Sequence, residues 1–227
     1  MMTENASWKT VRQSYDDLSR TLLDRLLDEQ GFIPTPLESL EVHRQREQAR
    51  LNGWISNFGR DLLAGLQLIA ERDAGPGAVI ARGLLQNMTA PDTLRRYLEQ
   101  HVINNGETFQ ALLNAVTDLH NRGDLHAART AISVLTALYT TEPQPYVLLG
   151  TIAWQLEGLE AAAQYYGIIV QALQHPLIDY FAADCLHQAS QAAQAKDLLK
   201  RALAMCDEAP ELYREIRPEI ETFLAEL

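Results

Sequence analysis

Near the start of the chain, Trp8, Val11, Tyr15, Leu18, Leu22 and Leu26 recur at spacings of three and four. That period paints one apolar stripe on a helix, which Gly31 and the turn at Pro34 and Pro36 are expected to stop. A second helical pattern covers about 37–72, with a stripe of Leu51, Trp54, Ile55, Phe58, Leu62, Leu66 and Ile69. Its interior HRQREQAR (43–50) is polar on every side, which predicts either an exposed helix or a break between two packed pieces. AGPGAVIARG (74–83) reads as a turn entering a short helix. Its glycines are not a phosphate loop, because no strand precedes them and no GK[ST] follows. Thr89 reads as an N-cap ahead of Pro91 and a helix reaching about Asn104.

From Glu107 the pattern changes to shorter helices, more alanine and regular turns. The segments NRGDLHAARTAISVL, LEGLEAAAQYYGII and QASQAAQAKDLLKRA each place an apolar or small residue after a turn and Ala three positions later. The pairs are Leu125 and Ala128, Leu159 and Ala162, and Ala192 and Ala195. Each pair follows the last by about 34 residues, the period of tetratricopeptide helix hairpins. In the first helix of each hairpin the small-residue site falls on Val116, Gly150 and Ala183. The large apolar site of the second helix falls on Ile132, Tyr166 and Leu199. Gly123 and Gly158 fit tight turns, and the third turn is degenerate, with Ser190 and Gln191. Pro145 is expected to start the second repeat and Pro176 the third. Alanines such as Ala182 and Ala183 let paired helices approach closely, because a hairpin buries its stripe only by stacking on a neighbour. In PELYREIRPEIETFLAEL, Leu212, Ile216, Ile220 and Leu224 share one face, which predicts a capping helix.

Composition narrows the partners. The 227-residue chain is long enough for one elongated domain or two small ones, and its 47% hydrophobic and 22% charged residues belong to a folded protein. Its net charge of −11 is uneven: residues 107–227 hold 7 Lys+Arg against 16 Asp+Glu, and residues 1–106 hold 12 against 14. Such an acidic half repels phosphate backbones and anionic lipid, so neither nucleic acid nor a membrane is an expected partner. Cys185 and Cys206 have no disulfide or metal-ligand spacing, which fits a reducing cytosol. The start MMTENASWKTVRQSYDD lacks the apolar core of a signal peptide, so a cytoplasmic location is expected.

The string YFAADCLHQ (180–188) is similar to the third-repeat pattern FHAAECLLQ of the class II chaperones of bacterial type III secretion. PYVLLGTIAWQLEGLEAAAQYYG resembles their second repeat, and Pro176 resembles the entry to their third. The resemblance covers about residues 107–227. With the repeat period and the terminal stripe it implies an all-α fold of three tetratricopeptide-like hairpins plus a C-terminal capping helix, and the earlier apolar stripes place an additional N-terminal helical region over 1–106 before them. It further implies a non-enzymatic chaperone that holds a secreted translocator or related export substrate. Family members are shorter, so 1–106 has no counterpart beyond a brief dimerisation helix. Its expected role is a homodimer contact or a second partner site, and it could also fold back into the groove.

In such a stack the first helices line a concave groove through repeat positions 2, 5, 9 and 12. These are Gln110, Leu113, Thr117 and His120; Gln144, Val147, Thr151 and Trp154; and Leu177, Tyr180, Asp184 and His187. Trp154 and Tyr180 would anchor apolar side chains of an extended peptide, while Gln and His would hold its backbone. Against this stands the reading in which Trp154 and Tyr180 are core and Asp184 is a solvated or capping acid. His120 and His187 share a repeat position, but no third ligand is spaced with them, so no metal or other cofactor is expected. HExxH, GxSxG and Walker motifs are absent, and no enzyme activity is expected. The competing function is a structural or regulatory part of the secretion apparatus, with the repeats as a permanent docking scaffold.

Overall fold

A computed structural model describes residues 45–46, 59–88, 91–103 and 105–227. The 8–26 stripe, positions 51–58 of the second stripe and the Thr89 cap lie outside the described residues, and of the polar 43–50 stretch only residues 45 and 46, both helical, are described. Every regular element among the described residues is helical. The chain divides into two compact units, Met1–Thr108 and Phe109–Leu227.

In the first unit, residues 59–72 are helical and are followed by α1 (Pro76–Asn87) and α2 (Pro91–His101). Pro76 enters α1 in its first turn, where no amide donor is needed. The Asp73 carboxylate accepts from the amides of Gly75 at 2.9 Å and Ala78 at 2.8 Å, which satisfies donors that the helix itself leaves open. Leu66, Ile69, Ala78, Ala81 and Leu84 are buried. α2 ends at His101, short of the expected Asn104.

The repeats occupy α3 (Gly106–Asn121), α4 (Leu125–Leu138), α5 (Pro143–Glu157), α6 (Leu159–Ala172), α7 (Pro176–Gln188) and α8 (Ala192–Glu208), with α9 (Arg217–Glu226) after them. Contacts run in order along the chain: α4 packs on α5, α5 on α6 and α7, α6 on α7, α7 on α8, and α8 on α9. The second and third hairpins, with α4 before them and the terminal helix after them, are therefore stacked as the repeat period requires. The repeat register holds at its small sites, since Ala128, Ala162 and Ala195 are buried. So do Ile132, Tyr166 and Leu199. Gly150 shows why size matters there: a Cβ at this position would fall on the Tyr166 ring, well inside van der Waals contact. The absent side chain lets Tyr166 lie across α5, where its hydroxyl donates to the Val147 carbonyl at 3.2 Å.

Two of the turns share one hydrogen-bond pattern. In the first, the Asp124 amide donates to Leu119 O at 3.1 Å and the Gly123 amide to His120 O at 2.9 Å. In the third, Gln191 donates to Leu186 O at 2.8 Å and Ser190 to His187 O at 2.9 Å. This closure needs a left-handed residue, and Gly123 (φ 77°) and Ser190 (φ 61°) supply it. Serine does so against the steric cost of its Cβ.

Two expected boundaries need correction. The first helix of the second repeat starts at Pro143, so Pro145 lies inside its first turn. The terminal helix starts at Arg217 with Pro218 in its first turn, and residues 210–216 form turns. Pro218 has no amide to give the Arg214 carbonyl and its ring would meet that carbonyl, so no helix runs through 214–218 and one starts afresh at Arg217, which leaves Leu212 off the apolar face shared by Ile216, Ile220 and Leu224. Leu212 is 74% exposed, whereas Ile220 is buried against Ala183, Leu199, Ala202 and Cys206. Cys185 and Cys206 are buried free thiols.

One buried charge ties the second and third repeats. Asp179 is 0% exposed, and Arg201 of α8 grips it with two bonds, Nε to Oδ2 at 2.5 Å and Nη2 to Oδ1 at 2.6 Å. Arg201 also donates to the Val170 carbonyl near the end of α6, at 3.4 Å. Burial pushes the Asp179 carboxyl up, and the guanidinium opposes that shift. Nearby, His175 Nδ1 accepts the Leu177 amide at 3.1 Å as the cap of α7, and burial lowers its pKa.

These contacts generate three expected outcomes, each read from the urea midpoint at unchanged denaturant slope. Gly150→Ala should lose about 1–3 kcal/mol, because the methyl group overpacks the Tyr166 contact. Ser190→Gly should gain about 1 kcal/mol by relieving the left-handed strain. Arg201→Met should lose about 3 kcal/mol and exceed the loss in Asp179→Ala, since only the former strands a buried carboxylate while Arg201 is already partly in water.

Candidate functional site

The first helix of each hairpin has two distinct faces. Leu112, Val116 and Leu119 of α3, Ile152 and Ala153 of α5, and Ile178, Ala182 and Cys185 of α7 are buried. None of the expected inward positions is buried. Leu113, Thr117 and His120 are half-buried on α3, as are Val147 and Thr151 on α5 and Leu177, Tyr180 and Asp184 on α7. Gln110, Gln144, Trp154 and His187 are exposed. Each stripe repeats at intervals of three or four because inward residues one and two turns apart lie above one another.

Trp154 is the large apolar residue of this stripe that stays open, at 39% exposure. Beside it, Gln155 Oε1 accepts a hydrogen bond from His120 Nε2 at 2.9 Å, which links α3 to α5. Thr151 spends its hydroxyl on the Val147 carbonyl at 3.1 Å, within its own helix. Val147 leans on the cluster formed by Ala162, Tyr166, Ile178 and Ala182.

The third repeat is covered differently. Tyr180 and His187, two turns apart on α7, both meet Phe223 of α9, with ring centroids 5.8 Å and 5.7 Å away. Tyr180 also sits edge-on to Phe181 at 5.4 Å. Burial, then the nearby carboxylates of Glu219, Asp184 and Glu226, raise the Tyr180 pKa, so the phenol stays neutral in an acidic corner. Asp184 accepts from the Gln188 amide at 3.0 Å and 3.1 Å. His120 and His187 thus have separate contacts, one with an amide and one with a phenyl ring.

Two residues of this face escaped the sequence reading. Gln155 is next to Trp154 and outside the inward repeat positions, and only the His120 contact brings it in. Phe223 does lie on the stripe of α9 with Ile216 and Ile220, a signal that the 3.6-residue period contains.

The face offers anchors and amide or hydroxyl partners. Among the described residues no group of His, Cys, Asp and Glu is arranged to hold a metal ion, and no described helix is long and apolar enough to cross a membrane. Trp154→Ala should therefore leave helix content and melting nearly unchanged, since the ring is open; circular dichroism checks it, and a collapse would make the ring core.

No protein-family profile matches the chain, and no curated protein matches it. The chain is similar to two solved structures of the Yersinia enterocolitica type III secretion translocator chaperone SycD. The first is 19% identical with a TM-score of 0.46, covering 57% of this chain and 96% of that one. The second, an alternative dimer, is 20% identical with a TM-score of 0.42, covering 54% of this chain and 92% of that one.

Proposed function

We propose that the chain is a cytosolic chaperone of a bacterial type III secretion system. It would hold an extended, apolar segment of a secreted translocator or related export substrate along the first-helix face of its repeats, with no covalent chemistry. The observation behind this reading is the open Trp154 on a stripe that otherwise carries Leu113, Thr117, His120, Val147 and Thr151. A large flat ring, half desolvated before any partner arrives and flanked by hydrogen-bonding side chains, is the composition of a binding hot spot. The third-repeat string YFAADCLHQ supports the choice of client class by its resemblance to translocator chaperones.

On this reading the groove is graded along its length. α3 and α5 present Trp154 with the His120–Gln155 pair, which suits an apolar anchor and its backbone amides. The α7 end, where Phe223 backs Tyr180 and His187, carries Asp184 with Glu219 and Glu226 close to Tyr180. A client segment would set an apolar side chain on Trp154 and a lysine or arginine toward these carboxylates. Residues 1–106 would serve self-association or a second partner, and the acidic surface would keep the loaded complex soluble.

Co-expression with a translocator subunit of its own secretion system tests the reading. The wild-type chain should raise the client's soluble yield and co-purify with it. Trp154→Ala should weaken the complex about thirtyfold, the equivalent of about 2 kcal/mol for losing an aromatic anchor. A complex that forms only with non-secreted apparatus parts, and never releases, would instead mark a permanent scaffold.

A further inference from the structure

The hairpin stack has a second set of grooves, between consecutive second helices, on the side of α7 opposite its inward stripe. Two of them stand in the same repeat register. The groove between α4 and α6 has its floor on Leu149 and Ala153 of α5, and the groove between α6 and α8 has its floor on Ala182 and Leu186 of α7, one repeat later in each case. The walls are related by the same repeat period. Ala163 replaces Arg129, Gly167 replaces Ser133 and Leu198 replaces Tyr165, while the position of Glu157 falls on Ser190, beside the lining residue Gln191.

Those four differences decide whether the groove is closed. In the first, an ion pair between Arg129 and Glu157 spans the mouth, and Tyr165 fills the interior with its hydroxyl buried. About 250 Å³ remains. In the second, alanine and serine stand where the ion pair stood, the Tyr165 hydroxyl has no counterpart, and a Cβ at Gly167 would meet nothing within 4 Å. The opening is about 550 Å³. Ile168, one turn after the lining residue Gln164, is 69% exposed.

We infer that the groove between α6 and α8 is a docking site for an amphipathic helix of a partner protein, one that carries an apolar stripe flanked by lysine or arginine. Shape and charge select this occupant. Both walls are helices presenting residues three and four apart, Glu160, Ala163 and Gly167 on one side and Gln191, Gln194 and Leu198 on the other. Ridges at that spacing receive a third helix, and the span from Glu160 to Val170 gives it about 15 Å of length. The floor is apolar, and the charged lining residues are Glu160 and Asp197, on opposite walls. Neither carboxylate forms an ion pair with a described residue, so both face the groove as free acceptors of cationic flanks. A second copy of this chain's acidic repeats would be repelled by the same charges.

The test uses the full chain and a synthetic amphipathic peptide of leucine, alanine and lysine, about four helical turns long. Fluorescence anisotropy measures its affinity for the wild-type protein, Trp154→Ala, Gly167→Leu and the double variant Ala163→Arg with Gln191→Glu. The double variant places a base and an acid on the two walls of the second groove, at lining positions, without changing net charge. One-to-one binding is expected, unchanged in Trp154→Ala and weakened at least about tenfold in both closed variants. Absence of binding overturns the proposal, as does unchanged affinity in the closed variants. Equal affinity for a peptide with glutamate in place of lysine, or for one broken by proline, does the same. A closed variant that changes the sedimenting mass of the protein alone assigns the groove to self-association and also overturns it. Should the double variant lose helicity, Gly167→Leu, which enters open space, decides.

Discussion

The structure depends on the distance at which neighbouring helices can pass. A two-helix hairpin has one apolar stripe and too little else to cover it, so it is stable only against the next hairpin. Close passage requires small side chains at the crossings. The chain supplies them at Ala128, Gly150, Ala162, Ala183, Ala195 and Ala202, all buried. Large residues then fill the remaining space from the partner helix, as Tyr166 does over Gly150. Packing at this density leaves little slack: an added methyl group meets a ring, and a removed ring leaves a void.

Two consequences follow from stacking by neighbours alone. The first helices keep one stripe that no hairpin covers, and the second helices keep the clefts between them. A closed bundle would have sealed both. Because the buried positions are set by the crossings, the uncovered ones are free to differ from repeat to repeat. The inner stripe changes from an open indole at Trp154 to a phenyl-backed, acidic end at Tyr180. The outer clefts change from one bridged by Arg129 and Glu157 to one floored by Ala182 and Leu186 and left open.

Most of the repeat architecture was legible in the sequence because its causes are local and periodic. The recurrence from Leu125 to Leu159 to Ala192 identified the hairpins, and the alanines three positions after each are buried. Gly123 and Gly158 marked turns since only a residue without Cβ takes positive φ cheaply, and for the same reason the third turn, at Ser190, read as degenerate. The α9 start was misplaced because Leu212 keeps the period while Pro218 breaks the helix, and a period does not weigh a missing amide. Of the inner face, the stripe could be read from register. Its contacts could not, because Gln155 and Phe223 enter through pairings with His120 and His187, each a full repeat or more away along the chain. Asp179 was silent for a similar reason. Nothing in its own helix distinguishes it from a surface acid, and its partner Arg201 lies on the next helix.

That ion pair also explains how degeneracy is tolerated in the third repeat. Its turn has serine where glycine is favoured, and α8 begins with Ala192, exposed, where the second repeat has the half-buried Leu159. Both differences weaken the hairpin's own closure. Arg201 compensates from further along α8, where one guanidinium binds the first turn of α7 and the last turn of α6. A buried ion pair is a poor source of net stability compared with a well-packed apolar pair, yet it discriminates strongly between registers, because a one-turn slip of α8 would leave Asp179 buried and alone. The repeat least able to set its own register by turn chemistry is therefore the one fixed by charge. α9 then closes its free end through Ile220, so the surfaces that remain uncovered lie along the stack and not at its terminus.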